Sequence, residues 1–442
     1  MYPIKGKYST AYIMTDEVDI DQEAYKQIIS FVNCHVFTND SRIMPDYHAG
    51  KGCVIGFTMP MTNKVIPNIV GVDIHCNMQY IDFGKHMDFD KDQWLAVDRQ
   101  IRKHIPMGQK HRHRPALDMG TQFPWALASA QKNVFTSRLN KYLGTDFKGA
   151  DYDLRWFFDL CERVNCNPVV AVNSIGSLGG GNHFIEFGVS KNTGNTGVTL
   201  HSGSRNLGLK VANYWQRKAK ENMEYAYKTA FQEQIEAIKK DWPQAQWNKR
   251  IMEAKKPPTA TGLEYLEGED MYGYLHDMCF CYMYAHKNLL EMAAEVLTVL
   301  NKPMDMLMNE NNVHTVHNYI SFEDFIIRKG AVRSIKGQKM IIPFNMEDGL
   351  LICEGKSNEE WNCSAPHGAG RLMPRGQLKR DESIDVKDIR QRMNGKGIYL
   401  SIVPKDEIKE AYKDPEFIEK AIAPTATIVD RIKPVLTLKA KE

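Results

Sequence analysis

Four apolar runs punctuated by glycine set the tightest limit on how this chain can fold. They are PVVAVNSIGSLGGGNHFIEFGV (168–189), TGVTLHSGSRNLG (196–208), KMIIPF (339–344) and GLLICEG (349–355). Each reads as a strand that enters or leaves a polar loop, with glycine marking the turn. Helical spacing appears elsewhere, over Asp19–Val32 and Asp88–His104 and in two longer stretches. Residues 209–240 are rich in Ala, Glu, Lys and Gln, and residues 270–300 carry many Tyr and Met residues on the face expected to be buried. A polar segment containing KKPPTATG separates the two, so residues 209–300 read as a mainly helical excursion from a β-rich body. The chain closes with a helix-like stretch and a basic tail, RIKPVLTLKAKE. Neither repeats nor low-complexity tracts interrupt this pattern. The expectation is one α+β domain over residues 1–442, with its functional groups at strand ends.

Charge does little to choose a partner. Lys plus Arg number 57 against 54 Asp plus Glu, a net charge of +3, so a polyanion would have to meet a local patch. The first residues lack the basic segment and apolar run of a signal peptide, and no apolar run has transmembrane length. Nine cysteines without a CxxC pair read as reduced thiols. A cytoplasmic protein without a membrane partner is expected.

The chemistry concentrates at a few strand ends. GVDIHCNM (71–78) places Asp73, His75 and Cys76 within four residues, a carboxylate, an imidazole and a thiol of metal-ligand type. His183, His201, His317 and His367 also stand beside glycine turns or strand ends. One such histidine is ordinarily structural, but four together with Asp-x-x-Cys are not. Asp73, Cys76, His183, His201 and His317 could supply a polynuclear metal site, for which ligand softness favours zinc, cobalt or iron before manganese. Alternation sets Asn182, Phe184 and Glu186 on one face and His183 on the other. GSLGGGN precedes a strand, so it is neither a Rossmann fingerprint nor a Walker loop, though its amides could meet an anion. In HGAGR (367–371) small residues let a substrate approach His367, while Arg371 and Arg375 suit phosphate oxygens. An esterase oxyanion loop could look similar, but the chain has no GxSxG elbow.

Read in order, MPDYHAGKGCVIGFTM, GVDIHCNM, GSLGGGNHFIEF, LHSGSRNLG, VHNYI, RKGAVRSIKGQKMIIPFNM, CSAPHGAGRLMPR and AYKDPEF resemble the RtcB family of RNA-splicing ligases. The resemblance runs from about Met44 to Lys439. It implies a single domain with mixed sheets around a central metal and nucleotide cleft. It also implies a GTP- and manganese-dependent ligase that joins RNA ending in a 2′,3′-cyclic phosphate or 3′-phosphate to RNA with a 5′-hydroxyl, in RNA repair or tRNA splicing. By resemblance, His367 takes GMP covalently and Asp46 orients it. Asp73, Cys76, His183, His201 and His317 hold two manganese ions, with Cys76 bridging, which displaces the preference for zinc. Asn182, Asn318 and Lys439 contact the nucleotide along with the loop Gly368, Ala369 and Gly370. Glu186 and Tyr412 stand at guanine, and Arg205 joins Arg371 and Arg375 at the substrate phosphate. A monomer is expected. A metal-dependent enzyme that trims or caps 3′-phosphate ends without sealing is the alternative. A pure RNA-end binder has less support, because a nucleophilic His367 would be superfluous in it.

The chain also departs from the family pattern. His75 and Asn77 replace glycines of GVDIGCGM, and His75 reads best as a turn residue rather than an added ligand. Asn345, Met346, Glu347 and Asp348 stand after IIPF, and Leu350 falls where a serine usually reads guanine. That position predicts looser discrimination against ATP. Glu347 or Asp348 could restore part of the lost contact.

Overall fold

The computed structural model describes residues 1–15, 21–254 and 262–441. Along the chain, β1 (Tyr2–Lys5), β2 (Thr10–Ile13), α1 (Gln22–Val32), β3 (Ser41–His48), β4 (Ile55–Pro60), β5 (Lys64–Val65) and β6 (Cys76–Asp82) come first. Five helices follow, α2 (Lys91–His104), α3 (Trp125–Leu143), α4 (Leu154–Arg163), α5 (Pro168–Ser174) and, after β7 (Phe184–Ser190) and β8 (Thr196–Ser202), α6 (Arg205–Asp241). Next are α7 (Trp247–Ala254), β9 (Leu266–Glu267), α8 (Gly268–Val299), β10 (Val313–His317), β11 (Tyr319–Ile320), β12 (Ile326–Lys329), β13 (Ala331–Arg333), β14 (Lys339–Pro343) and β15 (Leu350–Gly355). The last elements are β16 (Ser364–Pro366), α9 (Arg375–Arg380), α10 (Val386–Gly395), α11 (Pro415–Ala421) and β17 (Ala426–Leu438).

Two sheets organise these pieces. The first has the order β1-β2-β3-β4-β12-β11, and the second β10-β6-β8-β7-β17-β15-β14. Every pairing in the second is antiparallel. This sheet curls until its edges meet, where the Ile341 amide of β14 donates to Thr315 Oγ1 of β10 at 2.9 Å. A nearly closed sheet leaves little free edge and gathers several strand ends at one rim. This mixed architecture is the α+β fold expected from the glycine-punctuated runs.

The helices follow local chemistry. Asp21 caps α1 by accepting from the Ala24 amide at 2.9 Å, while Asp19 and Ile20 of the expected helix lie outside the described residues. Asp90 and Gln93 form a reciprocal capping box at α2, and Arg102, Lys103 and His104 occupy its last turn. The Met and Tyr stripe of α8 is core, with Met271, Tyr274, Met278 and Tyr284 buried. In α6 the buried side chains end at Ala219, beyond which Tyr225 is 74% exposed. Of KKPPTATG only Gly262 is described.

Two elements differ from the sequence reading. PVVAVNS was expected as a strand but forms α5, because Asn167 accepts from the amides of Val169 and Val170 and Pro168 begins the helix. The basic tail is instead most of β17, which lies between β7 and β15. Its alternation buries Ile432, Pro434 and Leu436, and the lysine content hid that pattern. Among the described residues, no helix is long and apolar enough to cross a membrane. All nine cysteines are free.

Candidate active site

Register brings the metal-type side chains together. Cys76 pairs with His317 across β6 and β10, while His201 of β8 pairs with both Met78 and Phe184. Directly paired residues share a sheet face, so Cys76, His201 and His317 converge at the rim. Cys76 Sγ lies 3.1 Å from His201 Nε2 and 3.4 Å from His183 Nε2. His201 Nε2 and His317 Nε2 are 3.3 Å apart, and His183 Nε2 is 2.8 Å from Asp73 Oδ2. His183 Nδ1 donates to the Leu178 carbonyl at 2.9 Å, which turns the other nitrogen's lone pair toward Asp73 and Cys76. Electron pairs facing a carboxylate and a thiol so closely call for a cation or proton between them. Ligand atoms of Cys76, His183 and His201 all fall within 4.8 Å of one another, so this donor set fits a divalent transition metal.

The electrostatics agree with that fit. Burial, then neighbouring imidazoles, holds His201 well below its ordinary pKa, and burial followed by His367 does the same to His317. Both are therefore neutral, the form that ligates. Burial opposes ionisation of Asp73, but His183, Cys76 and Arg205 hold its carboxyl down at about 2. Burial and then Asp73 push the Cys76 thiol up. A bound cation would reverse that shift and leave a thiolate.

His367 follows β16, with its ring centroid 5.0 Å from that of His317. Its Nδ1 donates to Asp46 Oδ2 at 2.7 Å, and Asp46 is fully buried on β3. Gly370, at φ 78°, passes directly over the Asp46 backbone, where a Cβ would collide with the Asp46 carbonyl. Lys413, which the sequence reading missed, donates to the Pro45 and Tyr47 carbonyls on either side of Asp46. Burial lowers its pKa to about 8 despite the nearby Asp46 carboxylate.

Asp73, His201 and His367 open onto a cavity of about 340 Å³, within the range of small-ligand sites, while Cys76, His183, His317 and Asp46 lie behind its wall. Asp73, Asn182, Glu186, His201, Asn318, His367, Gly368, Ala369, Gly370, Arg371, Arg375, Tyr412 and Lys439 all contribute to its wall. Glu186 accepts from Thr437 Oγ1 at 2.9 Å, and burial pushes its carboxyl up to about 8. Asn318, in the left-handed region at φ 60°, accepts from the Gly330 amide at 2.8 Å.

The cavity also contains Glu407, which lies in the unremarkable charge run KDEIKE and gave no signal. Tyr412 donates to it at 2.9 Å and Lys439 approaches at 2.6 Å, with Arg371 at 3.3 Å and Arg375 closer still. Burial disfavours the charge on Glu407, yet these cations keep its pKa at about 2. Arg371 and Arg375, expected at phosphate oxygens, are therefore engaged by protein carboxylates. Arg375 also meets Asp406 at 2.8 Å, and Arg371 donates to the Asp406 carbonyl at 2.7 Å. Arg205 does not line the cavity. It sits behind Asp73, donating to Ser177 Oγ at 3.2 Å and to the Gly108 carbonyl at 3.1 Å.

The departures resolve differently. Leu350 is 1% exposed and packs with Met78, Tyr80, Ile341 and Ile432, outside the cavity wall, so it offers no polar group to the cavity. Glu347 pairs with Lys396 at 2.7 Å and with Arg392, while Asp348 pairs with Lys409 at 3.1 Å, so both carboxylates are occupied elsewhere. His75 takes the left-handed turn at φ 53° and packs its ring on Tyr282, Tyr319 and Phe322. Alternation along β6 turns Asn77 away from the face that carries Cys76.

Known proteins resemble the chain over nearly its full length. It is 28% identical to RNA-splicing ligase RtcB of Escherichia coli strain K12, covering 96% of each chain. It is 25% identical to tRNA-splicing ligase RtcB of Nanoarchaeum equitans, covering 90% of this chain and 87% of that one. Against tRNA-splicing ligase RtcB of Thermococcus kodakarensis the identity is 24%, with coverage of 89% and 86%. The family profile described as tRNA-splicing ligase RtcB matches residues 27–440, and this chain, with its curled sheet and Cys-His rim, belongs to the RtcB family.

Proposed function

We propose that this protein is a cytoplasmic, monomeric RNA ligase that uses GTP and two manganese ions. It joins 2′,3′-cyclic-phosphate or 3′-phosphate ends to 5′-hydroxyl ends through a covalent His367–GMP intermediate, in RNA repair or tRNA splicing. The observation that carries the reading is the His367–Asp46 pair, at 2.7 Å, beside the imidazole cluster, with His367 on the wall of a cavity of about 340 Å³. The names of its relatives, RNA-splicing and tRNA-splicing ligases, support the reaction class.

Asp46 accepts a hydrogen bond from His367 Nδ1, leaving the Nε2 lone pair free to attack the α-phosphorus of GTP; the P–N bond forms as the bond to the β-phosphate oxygen breaks and pyrophosphate departs. Its carboxylate then balances the positive charge that grows on the ring. Gly368, Ala369 and Gly370 keep bulk away from that attack, and Lys439 and Asn182, on the same cavity wall, would contact the nucleotide. Glu186 and Tyr412 supply polar edges for guanine. Manganese ions, held by Asp73, Cys76, His183, His201 and His317, would supply charge neutralisation at the phosphate oxygens. GMP passes from His367 to the RNA 3′-phosphate, the P–N bond breaking as the new P–O–P bond forms. The 5′-hydroxyl oxygen then attacks the RNA phosphorus and GMP departs.

The test mixes the protein with manganese, GTP and two RNA halves, one ending in a 3′-phosphate and one beginning with a 5′-hydroxyl. The expected product is a sealed strand, absent for His367→Ala. A guanylated or trimmed end that is never sealed would support the end-processing alternative, and bound but unchanged ends would support a binder.

A further inference from the structure

Between α2 and α3 the chain reads GQKHRHRP (108–115), with five successive basic or imidazole side chains from Lys110 to Arg114. This run is pinned at its base rather than loose. The Gly108 amide donates to the Gly179 carbonyl at 2.8 Å, and the Leu178 amide donates to the Pro106 carbonyl at 2.9 Å. Arg112 serves the fold: its backbone amide donates to Asn173, its Nε to the Gly176 carbonyl at 3.2 Å, and its Nη2 to Glu295 at 2.9 Å. His111 Nδ1 meets the Arg112 carbonyl at 3.0 Å, while the other three side chains of the run have no such duty. Lys110, His113 and Arg114 are exposed, and no hydrogen bond or ion pair engages their side chains among the described residues.

The run is anchored at the metal-type rim. Gly179 lies against Arg205 and His183, and Arg205 donates to the carbonyl of Gly108, two residues before Lys110. Loose surface lysines are ordinary. A strip in which Lys110 and Arg114 carry positive charge and no ion pair, pinned beside the metal-type rim on a chain whose net charge is only +3, is a local basic patch. Its chemistry suits a flexible polyphosphate, since each cation that meets a phosphate releases a condensed counterion.

We propose that Lys110, His113 and Arg114 form a docking strip for the phosphates of a single-stranded RNA whose reacting end is held at the Cys76–His201 rim. The proposal rests on the ligase reading above and names where that substrate's backbone lies. The strip contributes to binding and not to chemistry, so its effect grows with RNA length.

The experiment compares the full chain with Lys110→Glu/His113→Glu/Arg114→Glu, and with the milder Lys110→Gln/Arg114→Gln. Fluorescence anisotropy measures binding of a 3′-phosphate 20-mer and a 3-mer between 50 and 200 mM salt, and thermal unfolding checks the fold. At 50 mM salt the triple variant should bind the 20-mer at least tenfold more weakly, and the 3-mer within twofold of the parent. The slope of log affinity against log salt should fall by about 1.4 for the two lost Lys110 and Arg114 phosphate contacts. Lys110→Arg/Arg114→Lys should bind as the parent does, and in sealing assays the triple variant should show a raised KM for RNA with kcat unchanged. Unchanged 20-mer affinity and salt slope in the folded triple variant would overturn the strip while leaving the ligase reading intact. A parent that loses RNA binding on charge reversal, yet never seals, would support the strip and overturn the ligase reading. A parent that binds no RNA would overturn both.

Discussion

Glu186 shows how a single buried side chain turns geometry into a measurable pH dependence. Burial on β7 raises its carboxyl to about 8, against the opposing pull of Thr437 and Lys439. At neutral pH it is therefore mostly protonated when the cavity holds no nucleotide. A guanine edge presenting two donors favours the ionised form, so binding should expel a proton. GTP affinity should rise with pH, by up to tenfold per unit, and level off above about 8. Glu186→Gln, which carries no such proton, should flatten the profile. Isothermal titration between pH 6 and 9 measures both, and a flat parent profile would contradict the role. Residues such as Cys76, His201 and His317 were legible because unusual atoms stood at strand ends. Glu407 was not, because its meaning arises only where Arg371, Arg375 and Lys439 converge from distant segments.

At the scale of elements, β17 is the informative case. As a tail, the RIKPVLTLK segment would tolerate almost any substitution; as a strand between β7 and β15 it carries core side chains. Leu436 is fully buried with Phe187, Val198 and Leu200. Leu436→Ala should therefore cost about 2–5 kcal/mol, read as a lower urea midpoint at unchanged slope. A change under about 0.5 kcal/mol, the usual range for surface substitutions, would return the segment to the status of a tail. The misreading has a physical cause. Arg431 and Lys433, alternating with the buried Ile432 and Pro434, look like the start of a basic tail when one partner strand, β7, lies more than two hundred residues away. For α5 the error ran the other way: Val-rich composition suggested a strand, while the Asn167-Pro168 start, a strong local signal, decided for helix. The glycine-bounded runs at β8, β14 and β15 were legible because their periodicity is local.

For the whole molecule, the curled sheet and the metal-type rim act as one unit. Cys76 sits where β6, β8 and β10 come together, and its thiol touches both His183 and His201. If it bridges two ions, Cys76→Ala should deplete both, whereas loss of one histidine should leave part of the metal. Metal analysis after manganese loading measures this, alongside thermal unfolding with and without the ion. The parent should gain stability from manganese in proportion to its binding, and the variant should gain little. A Cys76→Ala protein that still holds two ions per chain would remove Cys76 from the site.

The covalent step decides the account most directly. The protein is incubated with manganese and GTP labelled at the α-phosphate, denatured, and the modified residue is located by peptide mass spectrometry. An acid-labile guanylate on His367 is predicted, absent from His367→Ala although that variant keeps the parent's metal content. Label on any other residue, or no label from a metal-loaded protein, would contradict it.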